Sequence, residues 1–399
     1  MDSTDHKKFL IGNYASPALE IVRGEGAKLW DSDHREFLDF TSGIAVTNIG
    51  HCHPHWTEQV IKQAGKIVHC SNLFSIPEQV RLAKRLVTEI GSGKMLFCNS
   101  GAEANEGLIK FARLASETPE LEGKRKILAA ENAFHGRTMG ALSATASPKY
   151  RNGFEPLLDG FEFAPLNDLE AWDRKLDDKT VAVLIESIQG EGGIHEAQDH
   201  FLQGLEKICR ERRALLMIDE VQSGIGRTGD FLAYQQAGIS PDAVALAKGL
   251  GGGFPIGAFW ISDQWSGIFK PGSHGTTFGG SPLACAAAHA VLDVIEKDGL
   301  VGAAREKGHI MFEGLTRLVQ SFPAILEGVR GRGLMLALAL KIDPTELIGL
   351  LRDKGLLVVG AAGNTIRFLP PLNVSDTEIE QALKITEEVL ASFQNKQSE

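Results

Sequence analysis

Six short, largely apolar runs recur through the middle of this chain: Met95–Cys98, Lys126–Ala130, Val181–Glu186, Ala214–Asp219, Ala243–Ala247 and Ala258–Ser262. Each is too short for a core helix. None alternates with polar residues, so both faces of each must be buried. Stretches with helical spacing, such as Glu103–Ala115 and His200–Arg212, lie between most of them. That alternation predicts an α/β fold with a mainly parallel sheet covered on both faces.

The flanks read differently. Residues 1–55 hold small strands and turns, among them Lys28–Trp30 and Glu36–Phe40. Beyond two long helical stretches, Pro282–Glu296 and Val301–Phe322, the segments Leu334–Leu340, Leu356–Gly360 and Thr365–Leu369 read as strands and Asp376–Phe393 as a closing helix. The expected division is a large domain over 56–297 and a small α+β domain shared by 1–55 and 298–399.

Composition narrows the class. With 399 residues, 43% hydrophobic content and mean hydropathy of -0.06, the chain is that of a soluble globular protein. No apolar run approaches membrane-spanning length, and the opening MDSTDHKKFL lacks the apolar stretch of a signal peptide, so a cytoplasmic protein is expected. The net charge of -10, without a basic block, argues against nucleic acid and anionic membrane as partners. Five cysteines without a CxxC pair read as reduced thiols. His51, Cys52, His53 and His55 make only half a ligand cluster, so no metal is expected; Pro54 suits the first turn of a helix there.

Four strand ends carry residues suited to chemistry. Ala243–Ala247 leads into Lys248 and then Gly249, Gly251, Gly252 and Gly253, which remove crowding side chains beside the ammonium group. A desolvated lysine is what imine chemistry with a carbonyl cofactor needs. The glycines also resemble a nucleotide loop, but the apolar Ala258–Ile261 follows them where a helix would be required. Asp219 closes a fully apolar strand, where a carboxylate needs a cationic partner such as a pyridinium nitrogen. Asn99-Ser100-Gly101-Ala102 starts a helix, and its free N–H groups either seat a phosphate or are capped by Ser100 in the ordinary way. Phe134 and Arg137 offer a stacking ring and a carboxylate clamp, or simple packing and a surface charge. Together these are the parts that pyridoxal 5′-phosphate needs.

With these motifs in order, along with Gln189-Gly190-Glu191-Gly192-Gly193, Asp219 to Gly229, His274 to Gly280 and Arg367-Phe368-Leu369-Pro370-Pro371, the chain resembles the class III, fold-type-I pyridoxal-phosphate aminotransferases over nearly its whole length. The resemblance implies that Lys248 is the Schiff-base lysine, and that Asp219 keeps the pyridine nitrogen protonated. It implies that Gln222 meets the ring hydroxyl, Phe134 stacks, and Ser100, Gly101 and Ala102 seat the phosphate. Thr277, after Thr276, would reach the phosphate of a second subunit, which implies a homodimer. Arg137, with Tyr14, would grip the distal carboxylate of the donor. Arg367 would hold the α-carboxylate of glutamate, and Glu191 would cover Arg367 while an ω-amine donor binds.

The implied reaction is transfer of an ω-amine to 2-oxoglutarate. Ile44 stands where ornithine-specific members carry tyrosine, which favours an acylated α-nitrogen, as in acylated ornithines or succinyl-diaminopimelate, or its absence, as in 4-aminobutyrate. An aminomutase and a non-catalytic regulator on the same fold are the readings from other classes. Ser187 and Ser281 stand where the family usually has proline and asparagine.

Overall fold

The computed structural model describes residues 8–397. A meander of β1 (Ile21–Glu25), β2 (Lys28–Asp31) and β3 (Glu36–Asp39) opens the chain. The central sheet then takes β4 (Gly93–Cys98), β5 (Lys126–Ala130), β6 (Phe161–Ala164) and β7 (Thr180–Glu186). A short pair, β8 (Ile188–Gln189) and β9 (His195–Glu196), intervenes before β10 (Leu215–Asp219), β11 (Ala243–Leu246) and β12 (Gly257–Ser262) complete the sheet. Its order is β4-β12-β11-β10-β7-β5-β6. Only β12 runs against its neighbours, so the mainly parallel α/β sheet expected is the one found.

Side chains of single strands show why these runs carry no polar alternation. Along β10, Leu215 and Met217 enter one apolar core, while Leu216 and Ile218 enter another on the opposite face. The first face is covered by the helix Gly101–Ala115, which packs on β11 and β12; the helix Asp199–Arg212 packs on β10 from the second. A strand buried on both sides has no position that tolerates a charge, except at its end.

A second sheet of order β13-β14-β17-β16 comprises β13 (Leu326–Arg332), β14 (Met335–Leu340), β16 (Val359–Ala361) and β17 (Thr365–Phe368). Between them β15 (Leu356–Leu357) pairs with Leu38 and Asp39 of β3, joining the two ends of the chain. The single strand expected over Leu356–Gly360 is therefore two strands in different sheets, hinged at the buried Val358. Besides the two-residue pair β8 and β9, strands β6 and β13 escaped the sequence reading. β6 (FEFA) and β13 (LEGVRGR) carry charges that interrupt their apolar pattern, and β6 lies at an edge of its sheet. Among the described residues no helix is long and apolar enough to cross a membrane.

The histidine-rich stretch is parcelled out. His51 Nε2 lies 2.8 Å from Asp39 Oδ2, and His55 Nε2 lies 3.2 Å from Asp293 Oδ2. Pro54 occupies the first turn of the helix Pro54–Ala64.

Candidate active site

The C-terminal ends of β10 and β11, adjacent in the sheet, place Asp219 and Lys248 on one cleft of about 440 Å³. In open α/β sheets such strand ends are where ligands gather. Lys248 follows β11 in a tight turn and takes a left-handed backbone, φ +41°, which is costly for a residue with a Cβ. The glycines after it serve close approach as well as clearance. A Cβ on Gly249 would collide with the Asn48 side chain, and one on Gly251 with the Phe254 carbonyl. Burial pushes the Lys248 amine down to about 8, with Arg367 lowering it further and the Glu191, Asp219 and Glu186 carboxylates opposing.

Asp219 is buried and already has donors. Asn105 Nδ2 donates to its Oδ2 over 2.7 Å, and His135 Nδ1 donates to the same oxygen over 2.8 Å. Burial works against charge on His135, but the hydrogen bond and charge of Asp219 outweigh it and hold the imidazole above its ordinary range. Part of the cationic partnership expected for Asp219 is thus supplied by the protein. Among the described residues the other oxygen, Oδ1, receives only the Val221 N–H, at 3.0 Å, which leaves it an acceptor position on a residue that lines the cleft.

The remaining walls come from the other strand ends. Ser100 caps the fifteen-residue helix Gly101–Ala115, its Oγ accepting the Glu103 N–H at 3.2 Å, and Ser100, Gly101 and Ala102 line the cleft. The cap is the reading shown; it uses one N–H and leaves others at the helix start, so it does not exclude a phosphate seat. Gly101 is held small by Val221, which a Cβ there would strike at 2.5 Å. Phe134 lines the cleft edge-on to Tyr150, at 5.3 Å between centroids, and the Arg137 guanidinium lies 4.0 Å from the Tyr150 ring centre and 5.5 Å from that of Phe134. Arg137 is otherwise open to solvent.

Arg367 on β17 is fully buried behind the cleft. Its Nη1 donates to Glu191 Oε1 at 2.7 Å and to Gln222 Oε1 at 3.2 Å, and its Nη2 donates to Glu191 Oε2 at 3.2 Å. Burial alone would raise the Glu191 carboxyl; the charge and hydrogen bonds of Arg367 reverse that and hold it below the usual range. Gln222 itself lines the cleft.

Two expected residues are not brought in. Tyr14 is 79% exposed, and Thr277 is exposed on the loop before the helix Pro282–Lys297; neither lines the cleft of its own chain. Others were missed. Glu186, at the end of β7, lines the cleft with its carboxyl pushed up to about 7 by burial, accepting the Phe134 and Gly190 N–H groups. His135 and Asn105 lie inside stretches already singled out, and the need of a buried Asp219 for donors was the signal that could have found them. Val46 lines the cleft just past a turn with left-handed backbone from Ser42 to Ala45, tied by Asp39 Oδ1 to the Thr41 and Ser42 N–H groups. Ser187, the departure from the family's proline, donates from Oγ to Glu220 Oε1 at 2.7 Å, a bond proline cannot make. Ser281 caps the helix Pro282–Lys297.

A desolvated amine and a buried carboxylate at neighbouring strand ends, with a helix start and a ring around them, make this a transferase of the pyridoxal-phosphate kind, and the spare acceptor on Asp219 and the free N–H groups after Ser100 fit that cofactor. The chain belongs to the class-III aminotransferases, whose family profile matches residues 12–390. It is 47% identical over 392 residues to the acetylornithine aminotransferase of Caldanaerobacter subterraneus subsp. tengcongensis, covering 98% of this chain and 99% of that one. The acetylornithine aminotransferase of Aquifex aeolicus is 46% identical, over 96% of this chain and all of its own. Among solved structures, the ornithine aminotransferase from Toxoplasma gondii superposes with a TM-score of 0.94 at 31% identity, over 98% of this chain and 95% of that one. A further Toxoplasma gondii structure, at 31% identity and a TM-score of 0.95 over 99% of this chain and 95% of that one, has partial occupancy of PLP at its active site.

Proposed function

We propose that the chain transfers the δ-amine of N2-acetyl-L-ornithine to 2-oxoglutarate, giving N-acetyl-L-glutamate 5-semialdehyde and L-glutamate, a step of arginine biosynthesis. The observation that carries the reading is the Lys248–Asp219 arrangement at adjacent strand ends in a chain whose curated relatives of this name match over nearly the full length.

Pyridoxal 5′-phosphate, when bound, supplies a carbonyl that takes up the donor's amine and a ring that draws off electrons from the carbon bearing it. Lys248 is the residue that would hold it covalently. With its amine near 8 rather than in the ordinary lysine range, Lys248 can then take a proton from the donor's δ-carbon and give one back. Asp219, backed by His135 and Asn105, would keep the ring nitrogen protonated, and the helix start at Ser100, Gly101 and Ala102 would take the phosphate. Phe134 would lie against the ring and Gln222 would meet its hydroxyl.

Arg137 would grip the donor's far carboxylate. The Arg367–Glu191 pair serves as a switch between two substrates. Paired, it presents no free cation to the donor's ammonium group; opened, it offers Arg367 to the α-carboxylate of 2-oxoglutarate. Ile44 offers no polar group to an α-amine, which suits an acylated donor; succinylornithine, succinyl-diaminopimelate and 4-aminobutyrate are the competing donors.

Thr277 and Tyr14, both exposed on a single chain, would complete the cleft of a second copy. Leu73, 88% exposed, and Phe278, 62% exposed, are apolar surface of the kind a homodimer covers. We place the protein in the cytoplasm. The assay is glutamate formation from 2-oxoglutarate with each donor in turn. N-acetylornithine is expected to give the highest kcat/KM, a better rate with 4-aminobutyrate or free ornithine would replace the donor, and turnover without any 2-oxo acid would indicate an aminomutase.

A further inference from the structure

Arg137 lines the cleft yet stands exposed to solvent. Among the described residues its guanidinium has neither an ion pair nor a hydrogen bond, and its charge is met by aromatic rings. An exposed arginine without a partner samples many rotamers, and closing on a carboxylate takes that freedom away. A neighbour that holds the guanidinium still beforehand lowers what binding costs.

Tyr150 is placed to do this. The guanidinium lies 4.0 Å from the centre of its ring, against 5.5 Å from that of Phe134. Attraction between a cation and a ring reaches to about 6 Å, so the Tyr150 contact is the stronger of the two. Lys149, 6.0 Å from the Tyr150 ring, sits at the limit of that range and competes little. Tyr150 also meets Phe134 edge-on, with centroids 5.3 Å apart and planes at 77°. It is half-buried and stands behind both residues rather than on the cleft wall.

The backbone fixes where that ring stands. The Ala146 N–H donates to the Ala133 carbonyl at 3.1 Å, and the His135 N–H donates to Thr145 Oγ1 at 3.0 Å. These bonds tie the chain leading to Tyr150 to the turn that carries Phe134 and Arg137. Pro148 then opens the single helical turn Pro148–Arg151, which presents the ring.

We infer that Tyr150 is a positioning residue for the donor: its ring holds the Arg137 guanidinium in place and so favours ω-amine donors that bear a carboxylate, an inference that rests on the role proposed for Arg137 above. The ring makes both contacts, so a phenylalanine would serve and an aliphatic residue would not.

The test uses the holoenzyme in single turnovers, followed by the cofactor's absorbance, with N-acetylornithine and with N-acetylputrescine, the same amine and acetamide without the carboxylate. Tyr150→Leu should raise the N-acetylornithine concentration needed for half-maximal rate by about fivefold and leave the maximal rate within about twofold. Tyr150→Phe should stay within about twofold of wild type on both counts. With N-acetylputrescine, Tyr150→Leu should change little, because no carboxylate calls on Arg137. In an Arg137→Gln background, Tyr150→Leu should add less than about twofold, since it acts through the arginine already removed. An equal loss with both donors, or a full further loss in the Arg137→Gln background, would overturn the inference, as would an unchanged Tyr150→Leu beside an impaired Arg137→Gln. If Arg137→Gln itself left the use of N-acetylornithine unchanged, the role proposed for Arg137 would fail first and the inference with it.

Discussion

In the proposed function, Lys248 sets the pH at which the protein becomes competent. Only a neutral amine attacks a carbonyl, and the folded lysine has its pKa lowered from 10.5 to about 8, so its neutral fraction grows as pH rises through that value. The rate at which cofactor-free protein takes up pyridoxal 5′-phosphate should therefore climb to about pH 8 and level off above it, followed by stopped-flow absorbance. A rate still climbing through pH 10 would mean an ordinary lysine. Glu191 is the second residue whose role separates from its neighbours. With Glu191→Ala, Arg367 loses its partner and stands as a bare cation, so single-turnover reaction with the amine donor should slow by roughly tenfold or more while reaction with glutamate stays near wild type. Equal slowing of both half-reactions would deny the switch.

At the scale of elements, the fit of the helix Gly101–Ala115 on the sheet fixes where its first turn stands. Gly107 faces Phe259 of β12 so closely that a Cβ would penetrate the ring. Gly107→Ala should destabilise the fold by about 1–3 kcal/mol, read as a lower denaturation midpoint with unchanged slope. A neutral effect would mean that the helix can shift without loss. The strands of the central sheet were legible because burial on both faces writes itself as an unbroken apolar run, as in Leu215–Ile218. Where a strand is short, charged or at an edge, as in β6, that signature disappears. The bend at Val358 was illegible for another reason: the split of Leu356–Ala361 between two sheets is decided by partners more than three hundred positions away in one case, and by a hairpin neighbour in the other. The same limit applies in the site. Lys248, Asp219 and the helix start declare themselves by their places at strand ends, whereas the His135–Asp219 and Arg367–Gln222 bonds span 84 and 145 positions and follow only from the assembled sheet.

For the whole molecule, the proposed homodimer explains why Thr277 and Tyr14 lie outside the cleft of their own chain. Sedimentation should give a dimer. Thr277→Ala should leave that dimer intact and weaken pyridoxal 5′-phosphate binding by about tenfold, the loss expected for a hydrogen bond to a charged group. A monomer with full activity would remove the shared-site account.

Everything in the functional reading depends on Lys248 carrying the cofactor. The direct measurement is reduction of the holoenzyme with borohydride, proteolysis and mass analysis of the peptides. The account predicts one added pyridoxyl phosphate group per chain, on the peptide containing Lys248, and none in Lys248→Ala, which should also lose turnover altogether. A label on another lysine, or none after incubation with pyridoxal 5′-phosphate, would contradict it.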